Sequence, residues 1–395
     1  MNRHILFVDD EPMVLRGIER SLRNMRQHWQ MEFAESGPMA LEIMARSNFD
    51  VVITDMRMPG MDGAQLLREV KSRFPETVRM VLSGQSDDTT IFRSIRNTHQ
   101  YLSKPCDVDE IKGKLAQAFS LCDMLDNPAL KQTVSRLESI PSRPSAYGEL
   151  HKLLQSPGAD VSAAGRLMSE DMGMTAKVLQ LTNSAFLGPA RVTSNPRKAA
   201  AQLGLEHLAT LALSADVFSV HSGAATSLME EVWQESTLAA VLAGEIASHE
   251  GCDEFTVESA YVAGLLHDIG KLVLATECED EYGPVTAKAC NDEISLVTGE
   301  RELFGCTHAQ VGGYLLGLWG LPGNVVEAVA WHHDPAKRHP AGFSPLIAVH
   351  VAHAHLESKT QAAHLDERLL NDLGLADKLP AWEALCRKAQ ERRSS

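Results

Sequence analysis

The segment DVVITDMRMPG, residues 50–60, joins a β-branched apolar run to an aspartate and a Pro-Gly turn. Such a run is typical of a strand buried on both faces of a parallel sheet, and Asp55 falls at its carboxyl end. Similar runs occur at HILFV (4–8), MEFA (31–34), VRMVLSG (78–84) and QYLS, with helical stretches at about 12–27, 37–46, 63–73, 87–97 and 107–121. Five strand–helix units predict an α/β fold with helices on both faces of a parallel sheet, because parallel strands need crossover connections.

Polar side chains follow four of the five predicted strands. Asp9 and Asp10 come after the first strand, Asp55 closes the third, Ser83 the fourth, and Lys104 follows the fifth. Because the first and third strands of such a sheet are neighbours, three carboxylates meet at one edge, which is unfavourable unless a cation such as Mg²⁺ lies among them. A hydroxyl and an ammonium at the same edge would bind phosphoryl oxygens. The pattern predicts phosphoryl transfer to Asp55; helix capping alone would explain one or two of the acids.

The strings FVDDEP, VVITDMRMPGMDG, VLSGQ and YLSKP give residues 4–120 a close resemblance to a response-regulator receiver domain. The resemblance implies a flavodoxin-like (βα)5 fold and phosphorylation of Asp55 by a partner sensor histidine kinase. It also implies Mg²⁺ bound by Asp9, Asp10, Asp55 and the backbone carbonyl of Arg57.

The same resemblance implies a switch that responds to the phosphoryl group. Lys104 and the hydroxyl of Ser83 would bind that group, and the ring of Tyr101 would turn inward. Ordinary packing on an edge strand explains Tyr101 equally well. A homodimer through the receiver domain is a further expectation.

From about residue 146 the periodicity is helical throughout, and the chain after residue 121 carries 13 of the 16 histidines. The string AYVAGLLHDIGKLVL (260–274) places His267 and Asp268 near the end of an apolar helix. Imidazoles and carboxylates from different helices are how metal sites are built in all-α folds. A metal at such a site would make a bound water nucleophilic toward a phosphoester.

The His-Asp pair resembles the HD superfamily, a group of helical bundles whose active members are metal-dependent phosphohydrolases. Its HD-GYP branch cleaves cyclic di-GMP and has a characteristic sequence signature. The signature residues present in this chain are His267, Asp268, Lys271, His308, His332 and His333. Two ligand positions differ, since Glu235 stands where that branch has a histidine and His353 where it has an aspartate. The GYP segment after the histidine pair is also replaced.

The related HDOD branch, which usually lacks a full ligand set, matches better and over about residues 130–360. The matching strings are LESIPSRPS, MSEDMGMTAKVLQLTNSAFLG, AAAQLGLEHLATLAL, THAQVGGYLLGLWGLP and VVEAVAWHH. The resemblance implies a non-catalytic output module that binds a partner protein of unknown identity, a cyclic di-GMP enzyme being one class. Two alternatives stay open: a phosphodiesterase that uses a transition metal on cyclic di-GMP or a related phosphoester, and a degenerate nucleotide-binding sensor.

Charge and composition narrow the remaining classes of function. The chain of 395 residues has a net charge of −15, and residues after 121 hold 21 basic against 35 acidic side chains. Such a surface repels a phosphate backbone, so we expect no nucleic-acid partner. No apolar run approaches the ~20 residues that span a bilayer, so we expect no membrane segment. Seven cysteines without a repeated CxxC spacing favour a reducing cytoplasm.

The predicted organisation is α/β followed by all-α. It comprises a receiver domain (1–121), a linker (122–145), an HDOD-type helical output domain (146–360) and a C-terminal helical extension or tail (361–395).

Overall fold

The computed structural model describes residues 3–83, 97–104, 107–156, 158–183, 192–213, 226–291, 293–356 and 365–394. The chain divides into two compact units. The first comprises Met1–Glu138 with the short pieces Gln180–Arg191 and Gly317–Gly320, and the second comprises the rest. Residues 122–138, at the start of the predicted linker, therefore group with the first unit.

A five-stranded parallel sheet forms the first unit, in the order β2-β1-β3-β4-β5. The strands are β1 (Arg3–Val8), β2 (Trp29–Ala34), β3 (Val51–Asp55), β4 (Val78–Ser83) and β5 (Gln100–Ser103). This order is that of the flavodoxin-like fold, so the predicted fold class is confirmed. Val8 pairs with Thr54 and Asp55 with Leu82, so the carboxyl ends of β1, β3 and β4 meet at one edge.

Helices cover the sheet and continue beyond it. They are α1 (Pro12–Ser21), α2 (Gly37–Met44), α3 (Gly63–Arg73), α4 (Val108–Cys122) and α5 (Pro128–Arg136). The first predicted helix, 12–27, is too long: α1 stops where Leu22 leaves the helical conformation, and a 3-10 turn, Arg23–Met25, follows. Most of the helix predicted at 87–97 lies outside the described residues.

A buried arginine anchors α5 to the amino ends of β4 and β5. Arg79 donates from Nε to the carbonyl of Asn97 and from Nη2 to the carbonyl of Ser135, each at 2.7 Å. His99 accepts the Arg79 backbone N–H at Nδ1, 3.1 Å, and its Nε2 lies 3.2 Å from the Ser135 carbonyl. Arg79 Nη2 lies 2.6 Å from the same Nε2, so a second proton on the ring would face the guanidinium charge, and the imidazole is neutral.

The second unit is helical. Its helices, some of whose end residues group with the first unit, are α6 (Pro144–Gln155), α7 (Val161–Ser169), α8 (Met172–Asn183), α9 (Pro196–Leu213), α10 (Thr226–His249), α11 (Glu254–Leu266), α12 (Ile269–Glu277), α13 (Glu279–Cys290), α14 (Leu296–Phe304), α15 (His308–Leu318), α16 (Gly323–Trp331), α17 (Pro345–Leu356), α18 (Glu367–Asp372) and α19 (Leu379–Ser394). Helix α17 packs against α10, α11 and α16. Gly264 lets α11 approach α10, because a Cβ there would lie 2.6 Å from the Ala239 carbonyl oxygen. Across the described ranges, no helix combines the length and apolar character needed to span a membrane.

The environment of His99 predicts a pH-dependent stability of the first unit. Burial and then the charge of Arg79 hold the pKa of His99 well below its ordinary value of 6.5. The unfolded chain therefore binds more protons below pH 6.5, and stability falls as pH drops from 6.5 toward the folded pKa. We expect the opening free energy of β4 and β5 amides, measured by hydrogen exchange, to fall by up to about 1.4 kcal/mol per pH unit in that window.

The control is His99→Gln, which has no titrating ring and whose amide can still donate to the Ser135 carbonyl. This variant should show a shallower pH profile between about pH 7.5 and about pH 5.5. Parallel profiles for the two proteins would contradict the assignment.

Candidate functional site

The carboxyl edge of the sheet brings acidic side chains and one ammonium together. Asp9 is 2% exposed and Asp55 is 9% exposed. Lys104 Nζ lies 2.9 Å from Asp9 Oδ2 and also donates a short hydrogen bond to Asp55 Oδ1. Burial alone lowers the pKa of Lys104, but its hydrogen bonds to Asp55 and Asp9 raise that pKa above the ordinary value. The ammonium thus stays charged between two carboxylates.

The backbone around Asp55 fixes the direction of its carboxylate. The Arg57 backbone N–H donates to Asp55 Oδ2 at 2.7 Å, so Oδ1 is the oxygen that faces Lys104. Gly63, the first residue of α3, packs against this turn, because a Cβ there would lie 2.2 Å from the Asp55 carbonyl oxygen. Only a residue without a side chain allows α3 to begin this close to the end of β3.

The other residues predicted for this site lie around the same edge. Asp10 follows Asp9 and is partly exposed. Ser83 ends β4, and its side chain lies outside the described residues. Tyr101 is 4% exposed and belongs to the same core cluster as Val81. The carboxylates of Asp9, Asp10 and Asp55 are hard oxygen ligands, so the donor set fits Mg²⁺.

Six side chains predicted for the second site converge in the helical unit. His267 and Asp268 join α11 to α12, His308 begins α15, His332 and His333 follow α16, and His353 lies on α17. Two triads have ligand atoms within 4.8 Å of one another: His267 with His332 and His353, and His308 with His332 and His333. We call these six residues the histidine cluster.

Asp268 is the carboxylate of the cluster and is fully buried. Its Oδ1 lies 3.1 Å from His308 Nε2 and 4.0 Å from His332 Nε2. Its Oδ2 lies 2.8 Å from Lys271 Nζ and 3.3 Å from His267 Nε2. Burial raises the pKa of Asp268, but the charges of His267 and Lys271 hold it well below the ordinary value. Asp268 is therefore a carboxylate, shared between the two sides of the cluster.

Four of the imidazole rings turn Nε2 into the cluster, whereas His353 places its Nδ1 3.2 Å from His267 Nε2. His267 Nδ1 donates to the Gly264 carbonyl and His332 Nδ1 to the Val329 carbonyl, each at 2.8 Å. His332 Nε2 is buried and meets no hydrogen-bond partner among the residues that the structure describes. Burial and the neighbouring imidazoles hold the pKa of His332 and of His333 well below 6.5, so both rings are neutral. Neutral imidazoles with inward lone pairs fit a transition metal.

One predicted ligand, Glu235, lies outside the cluster, and a further histidine near it, His350, has a different role. Glu235 is exposed on α10, whereas the next residue, Ser236, is buried, so the helical phase does not bring Glu235 into either triad. His350, which neighbours His353 in sequence, holds structure together instead. It donates from Nδ1 to the His332 carbonyl at 2.7 Å, and its Nε2 accepts the Asp366 backbone N–H at 3.0 Å.

Sequence reasoning missed Glu300, a fully buried carboxylate on α14. Its oxygens accept from His308 Nδ1 and from the hydroxyl of Tyr282. Burial raises the pKa of Glu300, but His308 lowers it below the ordinary value, and the carboxylates of Glu300 and Asp268 outweigh burial to raise the pKa of His308 to about 9. A signal was available, since Glu300 lies one helical turn before buried Phe304 and so on the apolar face of α14.

A cavity of about 250 Å³ opens onto the histidine cluster. Ser295, Thr298 and Arg301 of α14 and its cap line one side, and the histidines of α16 and α17 line the other. A small polar molecule in this cavity would lie against His332, His333 and His353.

Comparison with known proteins identifies both units. A model of the response regulator receiver domain matches residues 5–116, and a model of the HDOD domain matches residues 140–335. An uncharacterized protein of Treponema pallidum is 25% identical over 56% of this chain and 42% of its own length. The hydrogenase transcriptional regulatory protein HoxA of Cupriavidus necator is 27% identical over 58% of this chain and 50% of its own. The transcriptional regulator NtrC of Escherichia coli is 34% identical over 30% of this chain and 26% of its own. The chain thus spans half or less of the length of these relatives.

Solved structures show similar pieces. The MmoQ response regulator of Methylococcus capsulatus has 23% identity and a TM-score of 0.46, covering 63% of this chain and 98% of its own. The signal receiver domain of an HD domain-containing protein from Pseudomonas fluorescens has 31% identity and a TM-score of 0.30, covering 31% of this chain and 90% of its own.

The packing of Gly63 predicts that Gly63→Ala destabilises the turn that holds Asp55. The added Cβ collides with the Asp55 carbonyl, and overpacking of this kind costs about 1–3 kcal/mol. We expect hydrogen exchange at β3 amides to show that loss. The matched control is Gly17→Ala on α1, where a Cβ meets no described atom within 4 Å and helix propensity favours alanine. Equal behaviour of the two variants would contradict the packing argument.

Proposed function

Because the chain joins a response regulator receiver domain to an HDOD domain, we propose that it is a two-component response regulator controlled by phosphorylation of Asp55. A sensor histidine kinase supplies the phosphoryl group, and the regulator acts in the cytoplasm. The observation that carries the proposal is the hydrogen-bonded contact of Lys104 with both Asp9 and Asp55 at the carboxyl edge of the sheet. An ammonium held at that position is ready to meet an anionic group on Asp55.

The two oxygens of Asp55 have different roles in the proposed transfer. The Arg57 N–H holds Oδ2, so Oδ1 forms the new bond to phosphorus while the phosphorus–nitrogen bond of the kinase phosphohistidine breaks, its electron pair returning to the imidazole. Lys104 then binds a phosphoryl oxygen. Asp9, Asp10, Asp55 and the Arg57 carbonyl would hold Mg²⁺, which supplies positive charge for the phosphoryl oxygens.

The output in this proposal is a change in protein interaction by the HDOD domain. The phosphoryl group carries about −1.5 to −2 charge, but its bond to Oδ1 removes the single charge of the Asp55 carboxylate, so the site gains up to about one negative charge. Ser83 at the end of β4 and Tyr101 within β5 respond, and the receiver surface, including a receiver homodimer contact, changes with them. The buried position of Tyr101 supports an inward-facing ring as one of the two states.

Asp55→Asn is expected to abolish labelling by acetyl phosphate in the presence of Mg²⁺, because the amide cannot form the acyl phosphate. Asp62→Asn is the control: Asp62 caps α3 beside the site, and asparagine caps equally well. It should label as the unmodified protein does. Labelling of Asp55→Asn at the unmodified level would refute the acceptor.

The same pair of proteins tests the link to output. Beryllofluoride, a phosphoryl mimic, should change hydrogen exchange within residues 140–335 in the unmodified protein and leave Asp55→Asn unchanged. An unaltered exchange pattern in both would refute control of the HDOD domain by the receiver.

A second candidate function, metal binding by the histidine cluster, is favoured by the convergence of its ligand atoms. His332 Nε2 is common to both triads and can bind only one metal. With His308 Nε2, His333 Nε2 and Asp268 Oδ1 it offers a four-ligand set of the kind that binds Zn²⁺ or Fe²⁺. A bound metal would supply an activated water for a phosphoester in the adjoining cavity, cyclic di-GMP and related molecules being the class to assay.

His332→Ala is expected to remove the metal from purified protein, because both triads lose their common ligand. The measurement is metal content by mass spectrometry after reconstitution with Zn²⁺, Mn²⁺ or Fe²⁺, together with a phosphodiesterase assay. His249→Ala, on the exposed end of α10, is the control. Equal metal content in both variants would refute this candidate, and nucleotide binding without turnover would identify a sensor.

A further inference from the structure

We propose that Glu300 is a positioning residue that holds the Nδ1 proton of His308 and thereby presents His308 Nε2 to the histidine cluster. The proposal rests on the second candidate function, since it concerns how that site binds a metal. Glu300 touches none of the other five members of the cluster through any hydrogen bond between described side chains. Its role is therefore exerted through His308.

The contacts of Glu300 account for both of its carboxylate oxygens. Oε2 accepts the His308 backbone N–H at 2.8 Å and lies 2.8 Å from His308 Nδ1. Oε1 accepts the Tyr282 hydroxyl at 2.7 Å and lies 2.9 Å from the same Nδ1. A carboxylate has no proton to donate, so Nδ1 is the donor. The nitrogen that a metal would take in exchange for a proton is Nε2, which lies 3.0 Å from His333 Nε2 and 3.1 Å from Asp268 Oδ1.

The position of His308 in its helix explains why a side chain must do this. His267 and His332 each follow the last residue of a helix, and the carbonyl three residues earlier accepts the Nδ1 proton. His308 is the first residue of α15, so no helical turn precedes it. Glu300 supplies from α14 the acceptor that the backbone supplies to His267 and His332.

The surroundings fix the pair on both sides. Tyr282 holds the carboxylate from α13, and Gly270 of α12 packs so closely on α15 that a Cβ there would lie 1.9 Å from the His308 carbonyl oxygen. The backbone and the ring of His308 are thus both held. Partners that orient a metal ligand in this way are worth about 10–100-fold in metal affinity.

The test compares three full-length variants by competition titration with Zn²⁺ and by NMR of the His308 Nδ1–H. Glu300→Ala should bind Zn²⁺ about 10–100-fold more weakly and lose the exchange-protected Nδ1–H signal. Glu300→Gln keeps an acceptor for Nδ1 and should rescue both readouts to near the unmodified protein. Tyr282→Phe removes one restraint on Glu300 but leaves the bond from His308 to Glu300 in place, so it should weaken Zn²⁺ binding less than Glu300→Ala does.

Each outcome decides the matter. A folded Glu300→Ala that keeps both Zn²⁺ affinity and the Nδ1–H signal overturns the proposal. So does a Glu300→Gln that is as weak as Glu300→Ala, because charge and not the hydrogen bond would then act. If the unmodified protein binds no metal, the second candidate function fails, and the Nδ1–H signal in metal-free protein still decides whether Glu300 positions the ring.

Discussion

Two carboxylates, those of Asp9 and Asp55, lie side by side at the end of a parallel sheet, and the ammonium of Lys104 between them makes the arrangement stable. Taking like charges out of water is unfavourable without a counter-charge. The two carboxylates are close because the carboxyl ends of the parallel strands β1 and β3 lie side by side. The counter-charge, Lys104, follows β5, which lies on the far side of β4. The edge holds more negative charge than one ammonium can neutralise, since Asp10 lies beside it. It is therefore suited to a divalent cation and to an anion that shares that cation.

The helical unit also balances buried charge, but with one carboxylate among many nitrogen groups instead of several carboxylates around one ammonium. There a single central carboxylate, Asp268, is surrounded by Lys271 and imidazoles, and the excess capacity lies in neutral nitrogen lone pairs. Such a set favours a softer metal than Mg²⁺, because imidazole ligands suit zinc and iron. The two sites of one chain thus differ in the ion they fit for a reason that is visible in their donors.

The sequence predicted the sheet well, because five apolar runs of strand length leave little freedom in a parallel α/β fold. It could not predict that residues after 121 stay with the first unit, since that depends on Arg79, whose partners Asn97 and Ser135 are distant in sequence. The resemblance to the HD-GYP branch suggested Glu235 as a ligand. In the structure Glu235 lies on the exposed face of α10, and the next residue, Ser236, lies on the buried face. Residue types identified the histidines that converge, but ring orientation follows from backbone carbonyls that a sequence does not display.

The position of a histidine in its helix decides whether another side chain must accept its Nδ1 proton. A histidine after the end of a helix finds a carbonyl three residues earlier, and His267 and His332 use that acceptor. A histidine at the start of a helix has backbone N–H donors nearby and no such carbonyl, so its Nδ1 proton must be accepted from outside the helix. Glu300 meets this need at His308 and also accepts the backbone N–H of that residue, as a helix-capping carboxylate would. One buried acid therefore satisfies a helix start and orients an imidazole, which explains its place on the apolar face of α14.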